Sequence, residues 1–332
     1  MAKATTQLLD HGHSIYREAM QQTAKALCKG IVKKRALGAV CFIYGSLLLG
    51  GEPKVVSEKC YPVSDQKETR IYRDVVLKSD EANEVRFTLS LPEKISSEGL
   101  PCIIIVGGLE TGRESLQFIP EHGQYALIGY EYPHVLKALH RLRLLWQLFA
   151  VRREMIRIPS QILAMVQYVE QEPWFNQRPV DMMGYSFGAG FIPVTYVHAK
   201  QANKRLGPGV MAYGGAGIQC LVRANFPGPL WVKRIVARWS KSFFRAVDPI
   251  HYAPEMEGNF LLINGRYDTQ VPFKCATRLQ HLVPEPKTII NLETEHMSPQ
   301  NTALTLRLIQ LSREWLDQQR DLPKSKKESP SL

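Results

Sequence analysis

Residues 180–190 read Val-Asp-Met-Met-Gly-Tyr-Ser-Phe-Gly-Ala-Gly, which places the pattern G-x-S-x-G at Gly184, Ser186 and Gly188. That pattern arises by chance in roughly one chain of this composition in ten, so its context decides its meaning. Val180–Tyr185 is a short apolar run of the kind that forms a buried strand, and Phe187–Ala202 has apolar residues at helical spacing. Ser186 therefore falls on a sharp strand-to-helix turn. Glycines flank it because a side chain would clash in so tight a turn. The helix that follows would offer free N–H groups and a positive dipole end beside the hydroxyl.

The same alternation extends in both directions. Thr69–Lys78 and Glu84–Leu91 alternate apolar and polar residues, as half-buried antiparallel strands do. Pro101–Val106 is a continuous apolar run ending in Gly107-Gly108, which suits a central parallel strand covered on both faces. Tyr125–Tyr132, Val210–Tyr213, Phe260–Asn264 and Thr288–Leu292 read as further strands. Helical patterns lie at Ile156–Glu170, Phe273–Leu282 and Pro299–Gln318. Strands alternating with helices imply an α/β fold: one doubly wound, mostly parallel sheet with antiparallel strands at its start.

A serine hydroxyl is a poor nucleophile until a base accepts its proton. Among nine histidines, His296 stands after the strand Thr288–Leu292 and before the C-terminal helix, where active-site loops gather. His251, in a Pro-flanked segment, and His281, within a helical pattern, are its competitors. The imidazole needs a carboxylate to fix its tautomer. Asp268 follows the strand Phe260–Asn264 on the loop Gly265-Arg-Tyr-Asp268, although it could equally be a turn residue or a helix cap. Asp248 and Glu295 are the alternatives.

The segments GYSFGAG (184–190), LLINGRYDTQVP (261–272) and TEHMSP (294–299) resemble the nucleophile, acid and histidine segments of the α/β-hydrolase superfamily. The order Ser186, Asp268, His296 is that of α/β-hydrolases and differs from the orders of chymotrypsin and subtilisin. The form G-x-x-D-x-x-V-P resembles the branch holding dienelactone hydrolases, prolyl-oligopeptidase-like peptidases and acyl-CoA thioesterases. The likeness covers about residues 65–320. Glu295 stands where the superfamily commonly has Gly before the histidine. The resemblance implies an oxyanion hole built from backbone N–H groups. One donor would be Phe187. The other would come from the loop Gly107-Gly108-Leu109-Glu110, at Leu109 or, next in order, Gly108.

Two segments exceed the minimal fold. Residues 134–157 carry Lys137, Arg141, Arg143, Arg152, Arg153 and Arg157 against Glu154 alone; residues 221–247 carry six cations and no acid. Aromatic residues interleave in both. Each leaves the carboxyl end of a strand, so each is a candidate lid, suited to an anionic membrane surface or to an acyl substrate with an anionic head. An ordinary amphipathic helix with a solvated basic face is the plainer expectation.

Composition sets the outer limits. The 332 residues are 45% hydrophobic and 22% charged, with 23 Gly, 21 Pro and 6 Cys, which excludes collagen, a disordered chain and a disulfide scaffold. The net charge of 42 − 31 = +11 points to anionic partners. No nucleic-acid module, P-loop, dinucleotide fingerprint, HExxH or paired-Cys motif is present, so neither nucleic acid, cofactor nor metal is expected. The cysteines, at 28, 41, 60, 102, 220 and 275, form no close pair and read mainly as core residues.

Residues 36–51, ALGAVCFIYGSLLLGG, are sixteen uncharged residues behind Lys33-Lys34-Arg35. A spanning helix needs about 20 apolar residues, with roughly 17 as the lower limit. The run reads first as a membrane anchor with residues 1–35, a basic amphipathic leader, on the cytoplasmic side. A cleaved signal peptide and a buried helix in a soluble cytoplasmic protein are the other two readings. A hydrolase domain over 52–320 and a disordered polar tail over 321–332 complete the organisation. The expected activity is hydrolysis of a carboxylic ester or thioester with a hydrophobic, lipid-like acyl group. A prolyl-oligopeptidase-like peptidase and a non-catalytic binding protein are the rivals, and no feature specifies an oligomeric state.

Overall fold

A computed structural model describes residues 52–64, 69–119, 122–137 and 144–321. The expected leader (1–35), anchor (36–51) and nearly all of the expected tail (321–332) lie outside these residues. Among the described residues no helix is long and apolar enough to cross a membrane.

Nine strands form one sheet: β1 (Lys54–Ser64), β2 (Thr69–Ser79), β3 (Asn83–Pro92), β4 (Cys102–Val106), β5 (Ala126–Glu131), β6 (Val180–Tyr185), β7 (Leu206–Ala212), β8 (Phe260–Gly265) and β9 (Lys287–Leu292). Their spatial order is β1-β2-β3-β5-β4-β6-β7-β8-β9. Pairing is antiparallel from β1 through β3 to β5, and parallel from β5 to β9. The helices are α1 (His134–Lys137), α2 (Leu144–Gln171), α3 (Ile192–Gln201), α4 (Ile218–Asn225), α5 (Leu230–Phe243), α6 (Phe273–Leu282) and α7 (Thr302–Asp321).

Side-chain alternation along β4 shows why both faces must be covered. Ile104 and Val106 join one apolar cluster with α2, α3 and α6, while Ile103 and Ile105 join a second with α7 and the 3-10 turn Gly112–Phe118. A strand with no polar face is stable only in such a sandwich.

The structure departs from the sequence reading in four places. Strand β1 was not expected, because nearly all of it is exposed and it has no buried alternation; Pro62 is tolerated there because the strand lies at the sheet edge. Strand β7 begins at Leu206, through a Gly207-Pro208-Gly209 stretch that resembles a turn. These glycines serve close approach instead: a Cβ at Gly207 would lie 2.0 Å from Asp181 Oδ1, and one at Gly209 would lie 2.7 Å from the Tyr196 hydroxyl. Helix α2 begins at Leu144 rather than Ile156, so much of the expected lid segment 134–157 belongs to a helix packed on the sheet. After Ser186 the chain makes a 3-10 turn, Ser186–Phe191, before α3 starts with Pro193 in its first turn.

Candidate active site

Ser186 stands at the carboxyl end of β6 with φ +51°, a left-handed conformation that non-glycine residues adopt only where the surroundings impose it. The surroundings here are backbone. A Cβ at Gly188 would lie 1.9 Å from the Val106 carbonyl oxygen, and one at Gly184 would lie 2.5 Å from Ile192 Cγ1. Both positions must be glycine for the turn to rest against β4 and α3. Gly190, by contrast, faces open space.

His296 lies on the loop from β9 to α7, and its Nε2 is 2.8 Å from Ser186 Oγ. Its Nδ1 is 2.6 Å from Asp268 Oδ2. A carboxylate can only accept, so Nδ1 carries the ring proton and Nε2 is left to accept from the serine hydroxyl. The second oxygen of Asp268 accepts from the N–H groups of Gln270 and Val271 at 2.8 and 2.7 Å, which fixes the carboxylate at the end of β8. Tyr213 packs its ring edge-on against His296 with centroids 5.5 Å apart, and its hydroxyl is 2.5 Å from Thr294 Oγ1. Burial pushes the Tyr213 hydroxyl pKa upward, so the group stays a neutral partner. Three residues distant in sequence thus meet in one hydrogen-bonded chain.

The competing residues sit elsewhere. Asp248 is buried and accepts from the N–H groups of Gly217 and Ile218 at 2.9 and 2.8 Å, holding the start of α4. His251 lies in a 3-10 turn beside it, where burial first and Arg245 second lower its pKa. His281 is exposed near the end of α6, and Glu295 is exposed on the histidine loop.

Phe187, Leu109 and Gly108 line the same cavity as Ser186 and His296. The loop carrying the last two is shaped from within. The Gly108 carbonyl accepts from the Gly112 N–H at 3.0 Å and from Thr111 Oγ1 at 3.2 Å, and the Tyr132 hydroxyl donates to the Gly107 carbonyl at 2.6 Å. The cavity has a volume of about 1130 Å³. Its walls include Met155 of α2, Ile218 and Leu221 of α4, Phe191 and Val271. Among the described residues Glu110 is the one carboxylate on its lining, and no lysine or arginine lines it. Among the described residues no group of His, Cys, Asp and Glu side chains is placed to hold a metal ion.

Two features were not foreseen. Cys220 of α4 and Cys275 of α6 form a disulfide across 55 residues of chain, whereas the sequence reading found no close pair and placed the cysteines mainly in the core. Cys60 is free and exposed, and Cys102 is free and buried. The two basic segments also touch, through a hydrogen bond of 2.6 Å from Arg152 Nε to the Phe243 carbonyl and an edge contact between the Phe149 and Phe243 rings. A Cys pair so far apart, or a contact between two insertions, leaves no local pattern to read.

No family model matches the sequence, and no curated protein matches it. Solved structures do share its fold. Acetyl xylan esterase 1 from Thermoanaerobacterium sp. superposes with a TM-score of 0.54 at 11% identity, covering 79% of this chain and 87% of that one. The 2,6-dihydroxy-pseudo-oxynicotine hydrolase gives 0.54 at 16% identity over 83% of this chain and 71% of that one. An acylaminoacyl peptidase from Pyrococcus horikoshii gives 0.53 at 12% identity over 82% of this chain and 57% of that one. With its mixed nine-stranded sheet, its tight glycine-flanked turn after β6 and these neighbours, the chain has the α/β-hydrolase fold.

Proposed function

We propose that the protein is a serine hydrolase that cleaves a carboxylic ester or thioester with a hydrophobic acyl group. The observation that carries this reading is the hydrogen-bonded chain from Ser186 through His296 to Asp268, set on a turn that only glycine neighbours permit. Ser186 Oγ attacks the acyl carbon while His296 Nε2 takes its proton, and Asp268 balances the imidazolium. The N–H groups of Phe187 and Leu109, or Gly108 in place of Leu109, hold the oxyanion. As the intermediate collapses, the C–O or C–S bond breaks and His296 returns the proton to the leaving alcohol or thiol. Water then attacks the acyl-enzyme by the same route, releasing the acid and restoring Ser186.

The apolar walls favour a hydrophobic acyl group, because polar substituents buried there would lose their water without gaining partners. A peptidase reading calls for an acidic site to hold a peptide amine, and Glu110, the lining carboxylate, is exposed.

The test is fluorophosphonate labelling of the full-length protein beside Ser186→Ala and His296→Ala. Wild type should be labelled at Ser186 and both variants should lose labelling while keeping their fold. Absence of labelling in folded wild type, with or without detergent, would overturn the reading in favour of a binding protein. The membrane anchor at 36–51 is a separate proposal, resting on the sixteen-residue uncharged run and its basic flank. It would be refuted by uncleaved full-length chain in the soluble fraction.

A further inference from the structure

Helix α5 turns a mixed apolar and basic face outward. Its inner residues Val232, Val236, Ala237 and Ser240 are buried, and Val232 and Val236 pack with Phe226. Leu230, Trp231, Arg234, Ile235, Arg238 and Lys241 are exposed. At 3.6 residues per turn these six fall within an arc of roughly 140°. Three of them are large apolar groups: Leu230 is 53% exposed, Trp231 59% and Ile235 44%. Among the described residues no carboxylate forms an ion pair with Arg234, Arg238 or Lys241.

We propose that this face of α5 docks the protein on an anionic lipid membrane. Cations beside an exposed Trp and two aliphatic side chains match both layers of such a surface, phosphate heads and acyl chains. Charge and the exposed apolar residues together disfavour the other occupants. Residues 1–35 carry Lys3, Arg17, Lys25, Lys29, Lys33, Lys34 and Arg35 against Asp10 and Glu18, so the leader would be repelled. A second copy would bring the same basic face. A nucleic acid would satisfy the cations and leave Leu230 and Ile235 in water. Docking does not depend on the hydrolase reading, since no member of the face belongs to the Ser186 site.

The test uses the full-length protein and lipid vesicles of phosphatidylglycerol mixed with phosphatidylcholine, the chains brominated to quench nearby tryptophan emission. The protein has five tryptophans, and Trp231→Phe keeps an apolar ring while removing the reporter. Wild-type emission should be quenched by the anionic vesicles and not by pure phosphatidylcholine. Trp231→Phe should lose that quenched component. Arg234→Glu combined with Arg238→Glu should raise the lipid concentration needed for it by about tenfold or more, given what each basic residue contributes near a charged bilayer. Equal quenching in wild type and Trp231→Phe would overturn the proposal, since another part of the chain would then be the contact. So would absence of quenching, or Trp231 emission that shifts with protein concentration or with single-stranded DNA and not with lipid.

Discussion

The turn that carries Ser186 and the α4–α5 hairpin beside the cavity are held in place by different means. At the turn, main chain presses on main chain: β4 leaves no volume for a side chain at Gly188, and the sheet register of β6, β8 and β9 brings the three candidate catalytic residues together. The hairpin rests on side-chain links added to that frame. Asp248 holds the N–H groups at the start of α4, Asn225 donates to the Gln270 carbonyl at 2.6 Å, and Cys220 is bonded to Cys275. A site built on sheet register moves only if the fold moves. A wall built on side-chain links can be loosened chemically while the nucleophile stays where it is.

The largest expected effect tests the wall. Closing a loop of 55 residues restricts the unfolded chain by about 4 kcal/mol in the chain-entropy account. Reduction, or Cys220→Ser with Cys275→Ser, should lower the thermal midpoint accordingly. Fluorophosphonate labelling in the cold should persist, and its loss in a still-folded protein would break the distinction between the two regions.

The next effect tests the turn. Gly188→Ala must displace the nucleophile, because its Cβ would stand 1.9 Å from a carbonyl oxygen, whereas a Cβ at Gly190 meets nothing within 4 Å. Misplacement by about 1 Å costs on the order of a hundredfold in rate. Labelling rates should therefore fall at least that far in Gly188→Ala and stay near wild type in Gly190→Ala. Equal behaviour of the two variants would show that the turn is not set by backbone contact.

The smallest effect supplies a control away from both regions. Asp181, near the start of β6, is paired with Arg320 of α7, yet burial outweighs the pairing and pushes its carboxyl up to about 6. The folded state therefore holds this proton more tightly than the unfolded chain, and the contribution to stability falls as pH rises from about 4 to about 6. Comparing denaturation of wild type and Asp181→Asn across that window should show a difference in slope on the order of 2 kcal/mol in total. Parallel curves would remove the buried, weakly acidic carboxyl.

Much of the frame was legible because its signals are local. A buried strand is a short apolar run, a nucleophile turn needs glycines at fixed offsets, and Asp268 and His296 each follow such a strand directly. Strand β1 has no buried face, so alternation could not reveal it. The Gly-Pro-Gly start of β7 resembles a turn because sequence does not show which neighbours crowd a strand. The linked Cys220 and Cys275, the cap by Asp248 and the ring of Tyr213 against His296 all join distant segments, and no spacing encodes them. The candidate catalytic residues were thus readable, and the links that brace the cavity wall were not.

Strand β1 also fixes where the preceding chain is leashed. Lys54 pairs with Lys78 and Lys78 with Glu84, while Arg86 pairs with Glu131, the last residue of β5. The first described strand therefore starts at the rim of the sheet where the parallel strands end, the rim that holds Ser186, Asp268 and His296. At about 4.8 Å per strand, five steps across the sheet put that starting point about 24 Å from β6. Any attachment made by residues 1–51 would pull on the rim of the candidate site rather than on the back of the sheet. Like a mooring line tied at the bow, it would turn the mouth of the cavity toward whatever the line is fastened to.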